Sequence, residues 1–387
     1  MRMLLSAAAV FGAVYAVAAR PALSPVSSAP PSPVPIVIWH GLGDRFDAPG
    51  LLSLKEDLEN RPELKGVFVH IIEVGEDGAT DQRATFFGSA NAQVEHVCAQ
   101  LASLSNLTDP VLNPSRQFDA LGFSQGGQLL RAVVERCGAI GADEDGNGEG
   151  VRMRRLVTVG SQHMGISALP PCPAGSSPFS PCRLMHLSLV REGLYSSWAQ
   201  HNIVPAQYFR DSARIDEYLE GNEFLRDINN ERVGDLQPYA EELSRSYGDA
   251  EPRNETYRKN FKQLDRFVMF RFSEDLTVVP PHSSHFTLPL RNDTTCAPPP
   301  APPVPGCYAT PLPWSALPLY TQDYIGLRAL DEQGRVTRRA CKGAHMEIRD
   351  KCWEGIVQAL VDEGPEAVQD LEDEEEDDGE ARFVLQL

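Results

Sequence analysis

Short apolar runs alternate with amphipathic stretches along most of the chain, and this alternation predicts a parallel β-sheet covered by helices on both faces. Uninterrupted apolar runs are typical of strands that are buried on both sides. The strand-like runs are 36–39, 67–74, 118–121, 156–159 and 268–272, which are mostly apolar, and 335–340, which is more polar. Between them lie stretches with helical periodicity. The pattern favours a single α/β domain over residues 36–361, with a mainly parallel central sheet.

About a hundred residues separate the runs at 156–159 and 268–272. This segment, 163–264, is rich in helix-forming and aromatic residues. A long helical segment between two strands of an α/β sheet is typical of an insertion at the sheet edge where ligands bind. We therefore predict a large helical cap over the candidate site.

The pentapeptide Gly122-Phe123-Ser124-Gln125-Gly126 follows the third predicted strand and precedes a helical stretch, 128–136. A G-x-S-x-G sequence between a strand and a helix is typical of a nucleophile elbow, which exposes the serine above the sheet. Glycines flank the serine because the turn is tight. Ser124 is thus the candidate nucleophile.

A serine nucleophile of this kind needs an acid and a base, in the chain order serine, acid, histidine. Asp275 directly follows the apolar run 268–272 and is the candidate acid; its neighbour Glu274 is the alternative. His345 lies on a loop after the last predicted strand and is the candidate base. His282 and His285 also follow Asp275, but they lie too close to it in sequence to reach back easily from a separate loop.

Two backbone N–H groups are needed to stabilise an oxyanion. Gln125, the residue after the nucleophile, provides one candidate. The glycine-flanked Leu42, in a loop after the first predicted strand, provides the other. His40 precedes this loop, and we interpret it as structural because His345 is the better-placed base.

Several motifs in the chain together resemble the lysosomal palmitoyl-protein thioesterases. They are Trp39-His40-Gly41-Leu42-Gly43-Asp44, Gly122 to Gln128, Gly160-Ser161-Gln162-His163-Met164-Gly165, Asp227-Ile228-Asn229-Asn230-Glu231-Arg232, the run ending at Asp275, Leu319 to Leu327, and Gly343-Ala344-His345-Met346. The resemblance implies an α/β-hydrolase fold, a triad of Ser124, Asp275 and His345, and an oxyanion hole formed by the amides of Leu42 and Gln125. It also implies fatty acyl thioesters on protein cysteines as substrates, without a cofactor or metal ion.

The chain has eight cysteines, and no C-x-x-C pair suggests a zinc site. The family resemblance implies two disulfides, Cys98–Cys137 and Cys172–Cys182. Proximity in the sequence suggests that Cys296 pairs with Cys307 and Cys341 with Cys352, although sequence alone does not fix connectivity.

The N-terminus predicts entry into the secretory pathway. Residues 1–19 have a basic start, an apolar run and a small-x-small cleavage site, which is typical of a signal peptide rather than a membrane anchor. A proline- and serine-rich lead-in follows at 20–35. Asn106, Asn254 and Asn292 occupy glycosylation sequons. We expect the mature protein in the lumen of the lysosome or vacuole, or outside the cell, without a stable membrane anchor.

The formal charge of −19 is concentrated near the C-terminus. Twelve acidic residues and no basic residue lie between positions 362 and 380, and the rest of the chain carries −7. Such an acidic run repels itself, so we predict a disordered tail over 362–387. No basic or aromatic-interleaved segment suggests nucleic-acid binding.

The function predicted from these patterns is hydrolysis of S-acylated proteins or peptides through an acyl-enzyme intermediate. The same triad would also serve a secreted lipase or carboxylesterase that acts on oxygen esters. A non-catalytic acyl-binding protein on a hydrolase fold is a third alternative. The sequence does not indicate the acyl chain length, the natural substrates or the oligomeric state.

Overall fold

The strands of the domain are given by a computed structural model that describes residues 33–142, 150–233, 252–291, 308–361 and 381–385. They are β1 (Ile36–Trp39), β2 (Val69–Ile71), β3 (Gln117–Phe123), β4 (Arg152–Val159), β5 (Arg266–Phe272), β6 (Leu288–Arg291), β7 (Tyr308–Leu312), β8 (Val336–Cys341), β9 (Glu347–Arg349) and β10 (Ala381–Val384).

Helices fill most of the connections between these strands. They are α1 (Pro49–Asn60), α2 (Gly78–Ala84), α3 (Ala90–Ser103), α4 (Ser105–Thr108), α5 (Gln125–Cys137), α6 (Pro181–Glu192), α7 (Ser197–Asn202), α8 (Val204–Gln207), α9 (Ile215–Gly221), α10 (Leu225–Ile228), α11 (Glu255–Phe261), α12 (Pro318–Thr321), α13 (Leu327–Asp331) and α14 (Asp350–Val361). Short 3₁₀ helices occur at Pro62–Leu64, Ser212–Arg214, Pro281–His285 and Trp314–Ala316.

Six of the strands form one sheet in the order β2-β1-β3-β4-β5-β8, and every neighbouring pair is parallel. Each run that predicted a strand overlaps one strand of this sheet, so the predicted α/β class is confirmed. The elements form an α/β-hydrolase fold. Because β3 lies near the middle of a parallel sheet, its carboxyl end meets those of β1, β4 and β5 at one edge.

The hydrophobic core has two parts, one on each face of the sheet. Trp39, Phe118 and Phe267 belong to one part, which also receives side chains of α3, α5 and the segment between β4 and β5. Ile38 and Phe123 belong to the other, which is closed by α1 and α14. Successive side chains of a strand point to opposite faces, so a strand covered on both sides is mostly apolar.

The long segment between β4 and β5 is helical, as predicted, and contains α6 to α11. Its aromatic residues Tyr208, Phe209, Tyr218 and Phe224 are all buried. They belong to the part of the core that also contains Trp39 and Phe267, so they pack the segment onto the sheet.

The end of the chain differs from the prediction of a disordered tail over 362–387. Residues of β10 pair antiparallel with β9, and Phe383 packs edge-on against Trp353 with ring centroids 5.1 Å apart. Arg382 forms ion pairs with Asp57, Asp350 and Glu354. The prediction was wrong for residues 381–385 because the apolar side chains after the acidic run bury against α14.

Three disulfides join cysteines in the pairs expected from the family and from sequence proximity: Cys98–Cys137, Cys172–Cys182 and Cys341–Cys352. Other predictions concern residues outside the described ranges. These are the signal peptide at 1–19, the lead-in up to residue 32, the sequon at Asn292, the proposed Cys296–Cys307 pair and the acidic run at 362–380.

Candidate active site

Ser124 lies at the turn between β3 and α5, with φ of 49° and ψ of −123°. Residues other than glycine rarely adopt a positive φ, and such strained positions are concentrated at functional sites. The conformation is held in place because the Ser124 amide donates a hydrogen bond of 2.8 Å to the carbonyl of Val159 on β4. The turn therefore has the backbone of a nucleophile elbow.

The glycines of the pentapeptide are required by close backbone approaches. A Cβ atom on Gly122 would lie 2.3 Å from the Cα of Gly127, and one on Gly126 would lie 2.3 Å from the carbonyl oxygen of Trp39. Contacts this short do not occur between real atoms. Any larger residue at either position would push the start of α5 away from the sheet and displace Ser124.

The structure brings Ser124, His345 and Asp275 into one hydrogen-bonded chain, although 221 and 70 residues separate the two contacting pairs. His345 Nε2 lies 3.0 Å from Ser124 Oγ, and His345 Nδ1 lies 2.6 Å from Asp275 Oδ2. All three side chains are buried. These distances and their order match the serine–histidine–acid arrangement of acyl-transfer enzymes.

Of the two candidate acids, Asp275 contacts His345 and Glu274 does not. Asp275 Oδ1 accepts hydrogen bonds from the amides of Thr277 and Val278, at 2.9 and 2.8 Å, which leaves Oδ2 directed at His345. Glu274 is exposed, and its backbone amide donates to the carbonyl of Gly343. Glu274 thus helps to join the two loops but does not contact the imidazole.

The other two histidines that follow the acid in sequence do not contact the three-residue chain. His285 is buried, and its Nε2 lies within hydrogen-bonding distance of the carbonyls of Met269 and Arg339, at 3.2 and 3.0 Å. Burial, reinforced by nearby arginines, lowers the pKa of His285 to about 3, so the ring is neutral near pH 7. Burial also lowers the pKa of His282. The positions of His282 and His285 therefore agree with His345 as the candidate base.

The candidate oxyanion amides belong to Leu42, after β1, and Gln125, the first residue of α5. Within the described part of the chain, neither N–H donates a hydrogen bond to another group. Gly41 brings the Leu42 loop close to the nucleophile: a Cβ atom there would lie 2.9 Å from Ser124 Cβ. Two unengaged amides beside the serine are the elements that an oxyanion hole requires.

Tyr208, in the segment between β4 and β5, reaches this region. Its buried hydroxyl donates a hydrogen bond of 3.0 Å to Gln125 Oε1. The sequence had indicated Tyr208 only as one of several aromatic residues in a helical insertion. Nothing local in the sequence signals the contact, since 83 positions separate the two residues.

An apolar cavity of about 130 Å³ lies beside the Leu42 loop. Its walls include Leu42 and Phe86 together with residues of the proline-rich loop that the Cys172–Cys182 disulfide closes. Leu42 thus contributes to the cavity wall as well as to the candidate oxyanion hole.

The two sequons in described regions lie at helix starts. Asn106 is half-buried within α4, and Asn254 precedes α11, where its Oδ1 accepts a hydrogen bond from the amide of Thr256. Glycosylation at both remains a prediction. In the described parts of the chain, no helix has the length and hydrophobicity needed to span a lipid bilayer.

Comparison with known proteins bears directly on this site. The family model described as palmitoyl protein thioesterase matches residues 35–345, a span that includes Ser124, Asp275 and His345. The chain belongs to the palmitoyl protein thioesterase family.

Relatives from several organisms agree with this membership. The chain is 31% identical over 316 residues to palmitoyl-protein thioesterase 1 of Caenorhabditis elegans, covering 81% of this chain and 87% of the relative. It is 30% identical over 344 residues to a palmitoyl-protein thioesterase-dolichyl pyrophosphate phosphatase fusion of Schizosaccharomyces pombe, covering 88% and 45%. A lysosomal thioesterase PPT2 homolog of Drosophila melanogaster is 24% identical over 222 residues, covering 56% and 57%.

Proposed function

We propose that this palmitoyl thioesterase family member hydrolyses fatty acyl thioesters on protein cysteines, with Ser124 as nucleophile, His345 as general base and Asp275 as the acid that orients it. The observation that carries the proposal is the continuous chain Ser124 Oγ, His345, Asp275 at 3.0 and 2.6 Å. Family membership supplies the substrate class.

In the first step, His345 Nε2 removes the Ser124 proton as Oγ attacks the thioester carbonyl. Asp275 holds the imidazole through Nδ1 and stabilises the imidazolium that forms. The tetrahedral intermediate then collapses, the carbon–sulfur bond breaks and the acyl group remains on Ser124. A thiolate is a good leaving group, so it needs less protonation by His345 than an alkoxide would.

The developing oxyanion is stabilised by the N–H groups of Leu42 and Gln125. Removal of one such donor typically costs about 3 kcal/mol of transition-state stabilisation. Both amides are unengaged within the described residues, which supports this role. After the departing thiolate has taken the proton from His345, the neutral ring accepts a proton from a water molecule that attacks the acyl-serine. His345 then returns this proton to Ser124 Oγ as the acyl–oxygen bond breaks and the fatty acid leaves.

Labelling of the purified protein with a fluorophosphonate probe tests the assignment of the nucleophile. The proposal expects stoichiometric covalent labelling of Ser124, identified by peptide mass spectrometry, and no labelling after heat denaturation. A protein that binds acyl chains without catalysis would not react. Absence of labelling in the native protein would thus contradict the proposal.

The apolar cavity beside Leu42 is proposed to hold part of the acyl chain. Burial of each methylene group contributes about 0.8 kcal/mol, so even a short apolar channel discriminates between long and short chains. Phe86 and the proline-rich loop would supply most of this surface.

Replacing Ser176, a half-buried residue of the cavity wall, with phenylalanine tests this proposal. The larger side chain displaces about two methylene groups, so kcat/KM for a palmitoyl thioester should fall about 15-fold while that for an acetyl or butyryl thioester is unchanged. The exposed neighbour Ser177 is not part of the wall, and Ser177→Phe serves as the matched control. An equal loss on short and long chains in Ser176→Phe would argue against the cavity as the acyl site.

We also propose that the protein acts in the lumen of the lysosome or vacuole, after removal of the signal peptide predicted at 1–19. Disulfides persist in the oxidising compartments of the secretory pathway, and three are formed among the described cysteines. Among its relatives is a protein named a lysosomal thioesterase. Co-localisation of the tagged full-length chain with a lysosomal or vacuolar marker would support the proposal, and cytosolic localisation would contradict it.

A further inference from the structure

His40, which the sequence suggested is structural, directly follows β1 and directly precedes the Gly41–Leu42 peptide. The side chain is 1% exposed, so each ring nitrogen must find a partner within the protein. His40 Nε2 lies 2.7 Å from Asp81 Oδ2, and His40 Nδ1 lies 3.2 Å from the carbonyl oxygen of Gly41. Both partners are oxygen atoms, and the contact of Nε2 with Asp81 is an ion-pair contact, so the two contacts together favour a hydrogen on each ring nitrogen.

Asp81 is itself rigidly held. Its Oδ1 accepts hydrogen bonds from the amides of Val74 and Gly75, at 2.7 and 3.1 Å, and its Oδ2 accepts one from the amide of Phe46, at 3.0 Å. The carboxylate therefore ties the end of β2 to the loop after β1. His40 is anchored to a fixed point.

The electrostatics agree with a charged ring. Burial alone would lower the pKa of His40, but the Asp81 carboxylate, the Gly41 carbonyl and Asp44 together raise it above its usual value. The pKa of Asp81 is held below its usual value despite burial, because it accepts from His40 and from backbone amides. Both shifts favour the charged form of the pair over the neutral form.

The contact to Gly41 fixes the direction of the Leu42 amide. The carbonyl of Gly41 and the N–H of Leu42 belong to one peptide unit, which is planar and has these two bonds pointing in opposite directions. The carbonyl is held by His40 and also accepts from the amide of Asp44, at 3.3 Å. With the oxygen held on this side, the Leu42 N–H must point away from His40.

We infer that His40 is a positioning residue for the oxyanion hole: its Nδ1–H holds the Gly41 carbonyl so that the Leu42 N–H is presented to the reacting carbonyl at Ser124. The inference rests on the proposed serine hydrolase function. His40 does not touch substrate, and it acts through the orientation of one peptide plane.

Two isosteric substitutions separate this role from general support of the fold. The amide nitrogen of asparagine lies near the position of Nδ1, so His40→Asn keeps a donor for Gly41 and loses the contact to Asp81. Glutamine reaches the position of Nε2, so His40→Gln keeps the contact to Asp81 and loses the donor for Gly41. The inference expects kcat to fall 10²- to 10³-fold in His40→Gln with KM unchanged, and less than 10-fold in His40→Asn.

The rate of Ser124 phosphonylation by a fluorophosphonate provides a readout that does not depend on the natural substrate, because the phosphonyl oxygen also enters the oxyanion hole. Fast labelling of the wild type with slow labelling of His40→Gln supports the inference. The inference is overturned if the wild type and His40→Gln are labelled equally fast. It is also overturned if the two variants lose the same kcat, or if His40→Asn loses more. An unlabelled wild type instead contradicts the proposed hydrolase function itself.

The wild-type protein gives a test that does not require a variant to fold. In ¹⁵N-histidine-labelled protein, the inference expects the His40 resonances to show a hydrogen on both ring nitrogens at neutral pH. A bare Nδ1 would leave the Gly41 carbonyl without its donor and would overturn the inference.

Discussion

Replacing Ser124 with alanine should reduce thioester hydrolysis by about 10⁴- to 10⁶-fold, the range found when the nucleophile of a serine triad is removed. In the proposed mechanism the hydroxyl forms the acyl intermediate, and among the described residues it is the hydrogen-bond partner of His345 Nε2. Residual turnover would come from the oxyanion amides and from substrate binding. The measurement is kcat on a palmitoylated cysteine peptide.

The control for this variant is a measurement showing that the protein is still folded. Alanine has the same backbone preferences as serine at φ of 49°, and the side chain is small, so the thermal unfolding midpoint should stay close to that of the wild type. Substrate should still bind, with KM or product affinity little changed. A folded Ser124→Ala protein that retains more than about 1% of wild-type kcat would contradict the mechanism.

Replacing Asp275 with asparagine should lower kcat by about 10⁴-fold, because the amide cannot stabilise the imidazolium and selects the wrong tautomer of His345. Asp275 Oδ2 lies 2.6 Å from His345 Nδ1, and its other oxygen is fixed by two backbone amides. The loss should appear in kcat rather than KM, since Asp275 acts on His345 and does not line the cavity beside Leu42.

The neighbouring residue provides a matched control. Glu274→Gln makes the same chemical change one position earlier, at an exposed side chain that does not contact the imidazole. Its kcat should remain within about twofold of the wild type, as for surface substitutions in general. A large loss in Glu274→Gln together with a small loss in Asp275→Asn would mean that the acid has been misassigned.

The architecture of the sheet could be predicted from the sequence because strands covered on both faces are mostly apolar runs. The run at 268–272 predicted β5 (Arg266–Phe272), for example, and the structure adds only two residues at its start. The elbow was predictable for a related reason. Gly122 and Gly126 are required by contacts under 2.5 Å, so the steric demand appears directly in the sequence.

The sequence favoured Asp275 as the acid but left Glu274 open as the alternative. Both follow the same strand and both are carboxylic acids. The structure separates them because the chain turns after Asp275, so that the amides of Thr277 and Val278 hold its carboxylate against His345. This selection depends on backbone direction over a few residues, which composition and spacing do not encode.

Contacts between distant parts of the chain were also beyond sequence reasoning. The pair of His40 and Asp81 and the bond from Tyr208 to Gln125 join segments whose proximity follows only from the fold. The pairing of β10 with β9 was missed for a similar reason, because a strongly acidic run precedes a strand of only four residues. In each case a local pattern gave the wrong or an incomplete expectation, and a non-local contact determined the outcome.

The comparison of matched esters tests the central claim most directly. The substrates are a peptide palmitoylated on cysteine and the same peptide palmitoylated on serine, each hydrolysed by the purified full-length protein with Ser124→Ala as the control. The account predicts a higher kcat/KM on the thioester, with both activities lost in the variant. Equal or faster hydrolysis of the oxygen ester would contradict it and would indicate a general lipid esterase built on the same fold.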